Sequence, residues 1–210
     1  MYEPYKILVS PAFAEVELKK SRFLANVIPA ETETAAASFI EETRKKYYDA
    51  RHNCYAYILG KDGGKVKYSD DGEPAQTAGL PIFNILKESG IKNVCTVVTR
   101  YFGGTLLGAG PLARMYADAT KEALASAETA WMRYGIEFSV KSDYSDGEKI
   151  RRFLEKENID VVDITYAEKV CFVAKTGFET FADIEKNIIS LTASRAEINK
   201  EKEAYFIDRN

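Results

Sequence analysis

The residues best equipped for chemistry in this 210-residue chain are 100–112, Arg-Tyr-Phe-Gly-Gly-Thr-Leu-Leu-Gly-Ala-Gly-Pro-Leu. They follow residues 94–99, an apolar run that reads as a buried strand. They precede an Ala-, Leu- and Met-rich stretch that reads as a helix to about Trp131. Four glycines, Gly103, Gly104, Gly108 and Gly110, let the backbone turn tightly and come close to a ligand. Pro111 suits the first helical position, where no N–H is needed. The free N–H groups of a helix start favour an anion. Arg100 at the strand end and Arg114 in the first helical turn add two positive charges. This is the make-up of a phosphate or carboxylate site. The alternative is a turn that only packs a helix onto a sheet.

A second cluster lies in the polar loop 69–79, where Asp70, Asp71 and Glu73 fall within four positions, followed by Thr77. Carboxylates this close resist joint ionisation unless cations offset them. EF-hand spacing is absent, so compensation is expected from Arg100 or Arg114, with Asp side chains capping local N–H groups as the alternative. A general acid/base pair is the third reading. His52 is the only histidine and precedes Asn53 and Cys54. On an extended strand His52 and Cys54 share a face, which permits a Cys–His dyad but no histidine-based zinc site. The densest basic cluster is Lys19, Lys20 and Arg22, around Ser21; it can extend a phosphate-binding face. Two motifs fail: Gly103 and Gly108 have P-loop spacing without the Lys-Ser/Thr that must follow, and the Gly108 to Ala113 match to a dinucleotide fingerprint starts too far beyond its strand.

The elements that must position these groups fall into two sets. The first half reads as strands at 6–9, 14–18 and 22–28, a helix at 33–47, a hairpin of 54–59 and 65–69, and a helix from Pro81 to Gly90. The buried strand, the glycine loop and the long helix follow. The second half reads as strand 134–140, helix 143–158, strands 160–166 and 169–176 across a two-residue turn, helix 181–191 and strand 196–207. In the last helix Phe181, Ile184, Ile188 and Leu191 share one face. The order βαββαβ is the ferredoxin-like split unit. The fold class expected is α+β, with domains at 1–133 and 134–210.

Composition bounds the function. The formal net charge is −3; residues 1–133 hold 17 Lys and Arg against 16 Asp and Glu, and the rest 12 against 16. Neither half is a basic domain, so nucleic acid would be met by a local patch. There is no apolar run near membrane-span length, and no basic segment followed by an apolar core at the N-terminus. Three scattered cysteines, Cys54, Cys95 and Cys171, suit buried thiols in a reducing compartment. A cytoplasmic protein without cofactor, metal or membrane partner is expected.

Four segments, in order, resemble the IMPACT family, also called YigZ-like: Lys20-Ser21-Arg22-Phe23, then His52-Asn53-Cys54-Tyr55-Ala56, then Asp70-Asp71-Gly72-Glu73-Pro74 with Thr77-Ala78-Gly79, and Arg100-Tyr101-Phe102-Gly103-Gly104 with Leu107-Gly108 and Gly110-Pro111-Leu112. The resemblance spans about residues 2–130. It implies a ribosomal-protein-S5-domain-2-like first domain and a second similar to the last domain of elongation factor G. It also implies translational control, since eukaryotic relatives compete for the activator of a translation-factor kinase during amino-acid starvation. The function expected is a non-enzymatic, translation-associated regulator that binds RNA or a ribosome-associated partner. Its candidate contacts are Lys20, Arg22, Arg100, Gly103, Gly104, Gly108, Gly110 and Arg114. A protein-interaction regulator of a starvation response is the alternative. An enzyme on a small phosphorylated or carboxylated ligand is the third.

Overall fold

The computed structural model describes residues 2–208; residues 1, 209 and 210, at the outer ends of the two expected domains, lie outside them. Packing separates two compact units, residues 5–130 and residues 131–208 with 2–4. In chain order the first unit holds β1 (Tyr5–Leu8), β2 (Ala12–Leu18), β3 (Ser21–Pro29), α1 (Glu33–Lys46), β4 (His52–Leu59), β5 (Lys65–Ser69), α2 (Gly79–Ser89), β6 (Ile91–Lys92), β7 (Val94–Tyr101) and α3 (Ala109–Ala125). The second holds α4 (Tyr144–Lys156), β9 (Asp160–Tyr166), β10 (Val170–Gly177), α5 (Phe181–Leu191) and β11 (Glu197–Asp208); β8 (Thr129–Ser142) begins two residues before it.

The first unit is built on a five-stranded antiparallel sheet in the order β2-β3-β7-β4-β5. β7 is central and buried on both faces, which is why its first six residues are all apolar or threonine rather than alternating with charged ones. On one face Val94 and Val98 pack with Phe23, Cys54, Ile82, Met115 and Tyr116, under α2 and α3. On the other, Cys95 and Val97 meet Ala36 and Ile40 of α1. Thr32 caps α1 by accepting from the Ala35 N–H at 3.1 Å, and Gly90 ends α2 in the left-handed conformation. This is the α+β, S5-domain-2-like arrangement.

The second unit has the sheet order β11-β8-β10-β9, all antiparallel, the 4-1-3-2 order of the ferredoxin-like fold. Phe138, Val140, Ile150, Leu154, Phe172, Phe181, Ile184 and Ile188 form its core. Three sequence expectations are corrected here. Helix α3 stops at Ala125 instead of near Trp131, because residues 131–141 are taken into pairing with β11. The β9–β10 connection has three residues, with the Ala167 N–H donating to the Lys169 carbonyl. Leu191 is exposed, so the inward face of α5 ends at Ile188.

Asp146 in the first turn of α4 is buried, and accepts two hydrogen bonds from Arg195 (2.8 and 2.9 Å) and one from Lys149 (2.8 Å). The Arg195 hydrogen bonds, with the one from Lys149, pull its carboxyl from the ordinary 3.8 to about 2. A carboxyl depressed on folding adds stability above its unfolded value and loses it as pH falls through the folded one. Asp146→Asn is therefore expected to lower the melting temperature at neutral pH, and to flatten its decline from pH 3.8 to about 2. Melting followed by circular dichroism across that range checks this; an unchanged curve would mean the pair adds nothing to stability.

Candidate functional site

The site is assembled around the end of β7. Register puts Arg100 opposite Phe23 on one side and His52 on the other, so all three side chains leave the same face of the sheet. The glycine loop leaves at Phe102 and returns as α3. Together with the start of β4 and the tip of the acidic loop, it frames a cleft of about 800 Å³ lined by His52, Glu73, Arg100, Phe102, Leu106 and Ala109 among others.

Two glycines have clear conformational reasons. A side chain on Gly103 would stand 2.1 Å from the Lys20 carbonyl carbon and 2.2 Å from the Ser21 nitrogen. The loop thus packs directly on the β2–β3 turn, where the Gly103 N–H donates to Ser21 Oγ at 3.0 Å. Gly108 caps α3 with φ 80° and ψ 159°, a region closed to side chains. Gly104 also has a positive φ, and among the described residues a side chain built on Gly110 would meet nothing within 4 Å beyond its chain neighbours and its own helix backbone. The helix starts at Ala109, so Pro111 is its third residue rather than its first, and Arg114 lies beyond the first turn.

The three carboxylates of the acidic loop are compensated separately. Glu73 takes Arg100: Nη1 donates to Oε1 at 2.7 Å and to Oε2 at 2.9 Å, with both side chains buried. The Tyr116 hydroxyl donates to the same Oε1 at 2.8 Å. Asp71 takes Arg44 from α1 at 2.8 Å and the Asn53 N–H at 2.7 Å. Among the described residues Asp70 has no arginine in contact; it accepts the N–H groups of Gln76 (2.8 Å), Ala78 (3.0 Å) and Gly79 (2.8 Å), and so caps the start of α2 from a distance. Compensation by Arg100 or Arg114 therefore holds for Glu73 and fails for both aspartates. Local backbone and a helix 27 residues earlier supply what they need. Thr77 Oγ1 donates to the Pro74 carbonyl at 2.6 Å, and Asn53 Oδ1 accepts from Thr99 at 2.7 Å, so these two motif residues hold the loop and the sheet.

His52 and Cys54 do share a face, but they do not form a dyad. His52 Nδ1 lies 2.9 Å from the Asp71 carbonyl oxygen, which can only accept, so the proton is on Nδ1. The Cys54 thiol donates to the Asp70 carbonyl at 2.9 Å, and burial pushes its pKa far up, away from the thiolate a nucleophile needs. Burial does the same to the Tyr116 hydroxyl. Among the described residues no group of three or more His, Cys, Asp or Glu is placed to hold a metal ion. No helix among them is long and apolar enough to cross a membrane.

The basic candidates separate. Arg22 is exposed, paired with Glu15, and lies over the Tyr101 ring at 5.8 Å. Lys20 is exposed in the turn that Gly103 packs on, and Arg114 is exposed on α3 without an ion pair among the described residues. Arg100 is only 8% exposed and sits between the rings of Phe23 (5.5 Å) and Phe102 (5.7 Å). Its Nη1 is spent on Glu73; among the described residues its Nε is buried with no hydrogen-bond partner, and its Nη2 makes none. Sequence reasoning missed Tyr116, Arg44 and Arg51. Tyr116 had a signal: it sits on the buried stripe with Leu112, Met115 and Ala119, where a hydroxyl must find a partner. Arg51, exposed at the cleft wall, had none beyond its place next to His52.

Residues 19–124 match the Impact N-terminal domain, and residues 140–195 match a domain of unknown function, DUF1949. The chain is similar to the IMPACT family member YvyE of Bacillus subtilis (strain 168), 35% identical over 201 residues, 93% of this chain and 89% of that one. It is similar to the IMPACT family member YigZ of Escherichia coli (strain K12), 37% identical over 144 residues, 68% of this chain and 71% of that one. A crystal structure described as a hypothetical protein aligns over 97% of this chain and 100% of that one, with a TM-score of 0.63 and 29% identity. A family domain that fills half of the chain, and relatives alike along most of it, make this protein a member of the IMPACT family.

Proposed function

We propose that this protein is a non-catalytic, translation-associated regulator that binds single-stranded RNA in the cleft of its first unit. Arg100 carries the reading: a recessed guanidinium with donors unspent, facing a cleft whose rim holds Phe102, 53% exposed, and the exposed Arg51. A cation beside an accessible aromatic ring is the pairing that takes a phosphate with a stacked base. The carboxylates of the acidic loop and the Cys54 thiol, which could have done acid–base or nucleophilic chemistry there, are committed to structure. Both Glu73 oxygens, both Asp70 oxygens and both Asp71 oxygens are hydrogen-bonded, and the Cys54 thiol is held protonated. The translational setting rests on the family, whose eukaryotic members act in translational control. The competing reading is a protein partner, favoured by Leu106, 85% exposed beside the same cleft.

The test is fluorescence anisotropy of a labelled single-stranded RNA against salt. Affinity is expected to fall as salt rises, with a log–log slope of about −0.7 per neutralised phosphate. Arg51→Ala with Arg114→Ala is expected to flatten that slope without unfolding the protein, since both side chains are exposed and unpaired among the described residues. Phe102→Ala is expected to weaken binding by about 1–3 kcal/mol, the worth of one stacked base. Undetectable binding at low salt overturns the RNA reading in favour of a protein partner.

A further inference from the structure

We infer that the cleft binds a phosphomonoester group, and that in RNA it reads a terminal phosphate rather than the internal ones. This rests on the RNA reading above and adds what part of the strand the site takes. The first observation is the start of α3, a 17-residue helix whose Ala109 and Gly110 N–H groups make no hydrogen bond among the described residues. Pro111, the next residue, has no N–H at all, and the first used donor is Leu112, to the Gly108 carbonyl at 3.0 Å. A helix start alone is a common feature. The second, independent observation is Arg100, more than nine-tenths buried and lining the same cleft: its Nη2 makes no hydrogen bond among the described residues, and its Nε, sealed beneath, has no partner among them either.

Recess and valence choose the ligand. An internal phosphodiester carries a nucleoside on each side and has two free oxygens; it lies along a surface groove. A side chain as deeply set as Arg100 is reached by a group that projects from the end of its molecule. A phosphomonoester projects, and offers three free oxygens to the unspent donors of the cleft, Arg100 Nη2 and the N–H of Ala109, with the Gly110 N–H next along the helix start. The charged side chains that line the cleft, Asp49, Arg51, Glu73 and Arg100, sum to zero, so the incoming charge is met by the positive end of α3. The phosphomonoester can come from an RNA end or from a free mononucleotide, and the chemistry of the site is the same for both.

The experiment compares one single-stranded RNA carrying a 5′-phosphate or a 3′-phosphate with the same strand dephosphorylated at both ends, and with uridine 5′-monophosphate as competitor. One of the phosphorylated strands is expected to bind about 10–100-fold tighter than the dephosphorylated strand, the range for a set of charged hydrogen bonds. Ala109→Pro removes one donor at a position where proline is at home in a helix, so the protein should melt as the wild type does while the preference shrinks. Arg100→Lys, which keeps the charge opposite Glu73 but removes the fork, should shrink it too. Equal binding of all three strands overturns the inference and leaves RNA binding standing. Binding of the mononucleotide without any RNA supports the phosphomonoester site and overturns the RNA reading. A full preference retained in Ala109→Pro, or no binding of any probe, overturns the inference.

Discussion

Glu73→Ala is expected to lower the stability of the first unit by about 3–5 kcal/mol, the cost of leaving one member of a buried ion pair uncompensated. Arg100 would keep its charge at 8% exposure with no carboxylate in contact, and the Tyr116 hydroxyl would lose its acceptor. For a unit of this size that corresponds to a fall in melting temperature of about 10–20 °C. The pair itself is not the source of that stability relative to an apolar core. Glu73→Leu combined with Arg100→Met should recover most of the loss, because neither charge then has to be buried. Urea unfolding of the single and double variants checks both statements. A single variant as stable as the wild type would mean that Arg100 finds water or another partner, and that the cleft floor is not held as described.

Gly103→Ala is expected to be the other large effect, about 1–3 kcal/mol destabilising, because the added methyl meets backbone at 2.1 and 2.2 Å and no flexible side chain can yield. The β2–β3 turn, with Lys19 and Lys20 both at positive φ, would have to move. Gly110→Ala is the matched control of opposite sign. It lies in the first turn of α3 with open space around it, so alanine should stabilise by up to about 1 kcal/mol. Thermal melts of the pair decide it; equal effects at the two positions would mean the loop does not rest on the turn.

Much of the architecture was legible because it follows from local pattern. The apolar run of β7, the alternation in β8 and the inward stripe of α5 each declare their element, and the βαββαβ order names the second fold. What was misread depends on distant residues. The strand β7 extends through Arg100 and Tyr101, although a charged residue after six apolar or small ones looks like an exit. Its charge is tolerated inside only because Glu73, 27 residues earlier, is folded onto it. The end of α3 was hidden because residues 124–130 are rich in alanine and contain no glycine or proline, while pairing with β11 claims the chain just beyond. In the acidic loop the need for compensation was visible, but not that Asp70 would meet it with the N–H groups of α2. The family motifs pointed to the residues of the cleft without distinguishing those that build it, Asp70, Asp71, Glu73 and Thr77, from those left with donors to spend.

The central claim, that RNA is held at the cleft formed by the end of β7 and the start of α3, is tested most directly by amide chemical-shift mapping on the full chain. A short single-stranded RNA carrying a terminal phosphate, titrated at low salt, is predicted to shift the amides of Arg51, His52, Phe102, Ala109 and Gly110, with the Arg100 side-chain Nε–H resonance moving in step. Shifts confined to residues 131–208, or no shifts at a concentration that saturates anisotropy, would contradict it.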